Sequence, residues 1–152
     1  LVQYVHDGDE ALAQGGHAEA IEHYMQALDT VGMDSGLFLG SEEDGLDVIQ
    51  AYTLFKLVVS HAAAGDVASA ESYYDRLLAD HPGGTLGHVF ARLAEAFWSG
   101  FAANGNAATG CQEAVAVAEV EPLATDLLYA GYANPEYTPA RLCKLPDPVA
   151  TR

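Results

Sequence analysis

Three segments of the chain share one spacing: Gly15, Ala20 and Tyr24; Gly65, Ala70 and Tyr74; Gly105, Gly110 and Ala114. Each places a glycine five residues before a small residue and nine before a packing position. Glycine tolerates the left-handed backbone that ends a helix, and a small residue lets a second helix cross close to the first. Repeated three times, this unit predicts helical hairpins stacked side by side, each covering a face its neighbour leaves bare. Such an array supplies a surface and carries no chemistry of its own.

The middle unit is the clearest. Its first helix holds Leu54, Phe55, Leu57, Val58 and Val59, its turn is Gly65-Asp66, and its second helix holds Ala70, Tyr73, Tyr74, Leu77 and Leu78 before Pro82. Asp66 is placed to cap the second helix and Pro82 to stop it. Here the chain resembles the tetratricopeptide repeat. In the first unit Gly8, Gly15, Ala20, Tyr24 and Ala27 fall at the same offsets, whereas Asp7, Ala11 and Gly32 depart from the residues usual there. The third unit keeps Gly105-Asn106, Phe97, Phe101 and Glu121-Pro122, with Trp98 in place of a small residue, which implies looser or shifted packing of that hairpin. The resemblance implies an all-α fold, an α-α superhelix: one tetratricopeptide-like domain over 1–152, with repeats at 1–34, 51–84 and 91–124.

Turn glycines lie 50 and then 40 residues apart, so material precedes the second and third units. The insert at 35–50 contains Leu37-Phe38-Leu39, then Ser41 with Asp44 three positions on, a capping-box type of helix start. It predicts a helix from Glu42 to Ala64; Thr85 is the expected N-cap of another running to Ala103. After Pro122, Leu123 to Tyr129 reads as a helix capping the last hairpin, followed by an irregular proline-rich tail, so that cap and tail occupy 122–152. The pattern starts inside a helix at Leu1, which leaves room for an upstream leader or domain.

Charge narrows the partners. Against 22 Asp and Glu stand 6 Lys and Arg, and a net charge of -16 repels phosphate backbones and anionic lipid surfaces. Nucleic acid and membrane insertion are therefore not expected; a protein or peptide partner is. The scarcity of lysine, with only Lys56 and Lys144, fits an acidic exported or salt-adapted protein. Cys111 on the body and Cys143 on the tail are placed as a clamp would be, closing a loop of about thirty residues worth roughly 2 to 4 kcal/mol. Two reduced thiols, the usual cytosolic state, are the alternative. The clamp implies an extracytoplasmic protein, secreted or surface-anchored, with a cytoplasmic one as the alternative.

Six histidines include no pair at the spacing that sets two imidazoles on one helix face, and Asp7-Gly8-Asp9-Glu10 lacks the alternating ligands of a calcium loop. No metal site, cofactor or catalytic constellation is expected. The resemblance implies instead a concave groove lined by the first helices: Val5, Asp9 and Leu12; Tyr52, Phe55, Val59 and Ala62; Arg92, Glu95 and Ser99. This set suits an extended or helical peptide that buries aliphatic side chains. Coverage of the same residues by the insert at Leu37-Leu39 is an equal alternative. The expected role is a non-catalytic protein- or peptide-binding module; the other reading is a helical spacer within a larger exported protein.

Overall fold

Gly15, Gly65 and Gly105 have φ of 87°, 87° and 63°, and each breaks a helix at the position its spacing predicts. The computed structural model describes residues 2–34, 41–85, 87–120, 142, 143 and 145. Six helices are present among them, and no strand: α1 (Val2–Ala13), α2 (His17–Asp34), α3 (Ser41–Ala63), α4 (Val67–Asp80), α5 (His88–Asn104) and α6 (Ala107–Val120). Consecutive helices pair as α1 with α2, α3 with α4 and α5 with α6, and the hairpins pack on one another as an α-α superhelix. The Leu37-Leu39 part of the insert, the capping helix and most of the proline-rich tail lie outside the described residues.

The first two turns close in the same way. The Gly16 amide donates to the Ala11 carbonyl and the Gly15 amide to that of Leu12; Asp66 and Gly65 repeat this on His61 and Ala62. These paired bonds satisfy carbonyls that the helix end would otherwise leave open, and they require the left-handed glycine between them. The Asp66 carboxylate then accepts the Ser69 amide at 3.1 Å, capping α4 as expected. At the third turn the Asn106 side chain accepts the Ala108 amide at 2.8 Å. Helix α3 starts at Ser41, one residue from the expected Glu42. Thr85 is not the cap of α5: that position is Gly87, and the Thr85 hydroxyl instead donates to the Pro82 carbonyl at 2.8 Å.

The small residues mark close helix crossings. Ala20 and Ala70 are wholly buried, and a methyl group on Gly110 would stand 2.7 Å from the Phe97 carbonyl oxygen. In the third hairpin the packing is shifted and close. Gly100 and Gly110 face each other, where a Cβ on Gly100 would reach 3.1 Å from the Gly110 Cα. Trp98 stacks on Tyr74 of the preceding hairpin at 5.3 Å and tilts against Phe101 at 5.7 Å. In the first hairpin the corresponding residue is Gly8, against which the Tyr24 ring packs. The large ring thus moves from the second helix to the first, and in the third hairpin it fills space between hairpins.

Helix α3 is the centre of the array and contacts the five other helices. From Val48 to Ser60 every residue but Gln50 is buried. A helix with apolar side chains all round belongs in an interior, and each fully buried Leu, Val or Phe contributes about 1.5–3 kcal/mol of transfer free energy. Two hydroxyls on this helix are satisfied locally: Thr53 donates to the Ile49 carbonyl and Ser60 to that of Lys56, both at 2.7 Å.

Candidate functional site

One charged residue interrupts the apolar run of α3. Lys56 is 1% exposed, and a buried ammonium is tolerated only when its charge and its donors are matched. Its Nζ lies 3.6 Å from Asp9 Oδ1 on α1 and donates to the Leu142 backbone carbonyl at 3.0 Å. It also sits 5.9 Å from the centre of the Tyr52 ring, within cation–π range. The Asp9 carboxylate accepts from two phenols, the Tyr24 hydroxyl on α2 and the Tyr52 hydroxyl on α3, the latter at 2.8 Å. Burial pushes the Lys56 ammonium down from the usual lysine range, and the Asp9 charge and hydrogen bond partly oppose that shift.

The cluster joins α1, α2, α3 and a residue near the C-terminus. Leu142 is buried beside it, and its neighbour Cys143 is joined by a disulfide to Cys111 on α6. Leu145 packs on the core and lines a cleft of about 660 Å³ at the edge where Gly15, Gly65 and Gly105 turn. Leu142 thus lies at the central lysine and Leu145 at the turn edge of the hairpins. What the arrangement does chemically is hold a backbone carbonyl by an enclosed ammonium whose charge is balanced by one carboxylate.

The residues expected to line a groove divide into two sets. Val5, Tyr52, Phe55 and Val59 lie buried in the core, with Tyr52 against Phe90 of α5 at 5.5 Å; Leu12 and Ala62 are buried as well. Asp9 is partly exposed, and its carboxylate is turned to Tyr24, Tyr52 and Lys56. Arg92, Glu95 and Ser99 are exposed on one side of α5. The structure thus joins Asp9 to Tyr52 and keeps the α5 trio together at the surface. Lys56, Tyr24 and Leu142 were not expected at a site. The usable signal for Lys56 was a single charge amid Leu54, Phe55, Leu57, Val58 and Val59; Leu142 left none, because its contact is through the main chain.

No protein-family model and no solved structure matches the chain. It is 33% identical over 79 residues to the photosystem I assembly protein Ycf3 of Cyanophora paradoxa, a stretch covering 52% of this chain and 38% of that protein. The chain therefore spans well under half the length of this relative. This similarity runs against the expected extracytoplasmic, secreted placement, since the relative is a photosystem I assembly protein. Among the described residues no helix is long and apolar enough to cross a membrane.

Proposed function

We propose that this chain is a non-catalytic protein-interaction module of the tetratricopeptide type that serves the assembly of a larger protein complex. The observation that carries the reading is the recurrence of one hairpin three times, with left-handed glycines at Gly15, Gly65 and Gly105 and a small buried residue after each at Ala20, Ala70 and Gly110. Similarity to an assembly protein over half of the chain supports the role. The interior acid–base pair supports it too: Asp9 and Lys56 are engaged by phenols and a backbone carbonyl. In this reading a peptide or protein meets the exposed side of α5 at Arg92, Glu95 and Ser99, while Val5, Tyr52, Phe55 and Val59 form the support beneath.

The test is retention of a partner. The affinity-tagged chain is expected to hold a stoichiometric protein from an extract of its native source. Reversing both charges, Arg92→Glu with Glu95→Arg, should weaken that retention about tenfold or more while helicity is kept. Retention unchanged in the double variant removes the α5 surface from the interface. A chain that stays alone at native concentration favours the spacer reading.

A further inference from the structure

Lys56 and Leu142 are related as a site is to its ligand. The ammonium is enclosed, charge-balanced by Asp9 and flanked by the Tyr52 ring. The group it receives is a main-chain carbonyl from 86 residues downstream, carried by a leucine that is itself 1% exposed. The adjacent residue is the lock: Cys143 is bonded to Cys111, so a single covalent bond on α6 keeps the carbonyl at the ammonium. Ordering such a segment costs conformational entropy at every residue, and the cross-link removes much of that cost by confining the chain beforehand. In a reducing compartment, disulfides that form are chiefly transient or redox-sensing.

We propose that the Lys56 pocket is a binding site for a backbone carbonyl beside an aliphatic side chain, that Leu142 is its resident internal ligand, and that opening the Cys111–Cys143 bond with a dithiol reductant vacates it for an extended segment of a partner protein. The partner half of this inference rests on the interaction-module reading above. A thiolate of the reductant attacks the Cys143 sulfur, the S–S bond breaks, and its electron pair leaves on the Cys111 sulfur, which takes up a proton. The second thiol of the reductant then attacks the mixed disulfide, closing the reductant's own disulfide and releasing Cys143 as a thiol. Two electrons and two protons pass from the dithiol to the cysteine pair. Both cysteines are buried, so attack follows local opening of the segment. Once Leu142 departs, Lys56 is left with a donor that only another acceptor can satisfy.

The experiment uses the full chain, oxidised and after treatment with dithiothreitol. A short pulse of acetic anhydride is followed by mass spectrometry of the Lys56 peptide, and circular dichroism and Trp98 fluorescence report the fold. Acetylation of Lys56 is expected to rise about tenfold or more on reduction, with both fold signals unchanged. The double variant Cys111→Ser with Cys143→Ser should match the reduced protein without any reductant. A synthetic peptide of residues 139–146 with serine at the cysteine position should bind the reduced chain and not the oxidised one, and Leu142→Gly in that peptide should abolish binding. Lys56 labelling that stays flat after the bond is cleaved overturns the proposal, and so does loss of the fold on reduction, which makes the disulfide a structural staple. Labelling that rises without peptide binding overturns Leu142 as a ligand mimic. Failure of the interaction-module reading is seen separately, in partner retention.

Discussion

Asp9 and Tyr52, 43 residues apart, are hydrogen-bonded at 2.8 Å across the seam between the first and second hairpins. Both stand at positions expected to face a ligand, and they bind each other. The carboxylate on α1 thereby neutralises the ammonium on α3 and takes the phenols of α2 and α3. Removing it leaves a buried charge without compensation. Asp9→Ala is expected to cost about 3–5 kcal/mol, whereas Asp9→Leu with Lys56→Met should recover most of that loss, because breaking a buried pair costs more than replacing it. Urea denaturation midpoints of the three proteins check this; equal loss in the single and double variants would contradict it.

His61, at the end of α3, stacks on Tyr73 at 5.4 Å, and burial lowers its pKa although the Asp66 carboxylate opposes the shift. A lowered folded-state value means that the unfolded chain binds more protons in the interval ending at the usual histidine value of 6.5. Stability therefore increases with pH across that interval, and it is reduced by the full linkage contribution below the folded-state value. An NMR titration of the His61 ring should give a midpoint under 6.5, and His61→Phe should flatten this part of the stability profile. A midpoint above 6.5 would reverse the sign.

Two glycines are required for different reasons. At Gly110 the obstacle is the Phe97 carbonyl 2.7 Å from an added Cβ, so Gly110→Ala should cost about 1–3 kcal/mol by overpacking, despite the gain in helix propensity. At Gly105 there is open space but φ is 63°. Asparagine visits that conformation readily, so Gly105→Asn should be nearly neutral. Thermal unfolding of the pair separates a steric requirement from a conformational one; similar losses would remove the distinction.

Trp98 joins the second and third hairpins through Tyr74 and Phe101. Trp98→Ala should cost about 3 kcal/mol, and Trp98→Phe less than about 1.5 kcal/mol, since a ring remains to stack. Amide exchange is the sharper measurement: the alanine variant should speed exchange in α5 and α6 more than in α1. Uniform acceleration over all helices would mean that the stack is no hinge between hairpins.

Much of the array was legible from local rules. The turn at Gly65-Asp66 could be read because a left-handed C-cap and a capping carboxylate are chosen by neighbouring residues alone. The start of α3, expected at Glu42, falls one residue earlier at Ser41. Thr85 was misread because a hydroxyl before a helix can accept from a helix amide as a cap or donate to a carbonyl of its own turn, and here it donates to that of Pro82. Tyr52, Phe55 and Val59 were expected at a groove because the resemblance implies that first helices line one; their burial depends on how many helices surround α3.

By itself the sequence determined the six helices of the three hairpins, their glycine turns and the small residues at their crossings, because each is set by backbone preference and side-chain size within a few tens of residues. Tertiary structure alone decided that Lys56 is central, that Asp9 balances it, and that Leu142 supplies the carbonyl it holds. The physical reason is distance along the chain. An ion pair or a main-chain hydrogen bond spanning most of the sequence has no local signature, and it comes into being only when stacking brings α1, α3 and the Leu142–Cys143 segment into one interior.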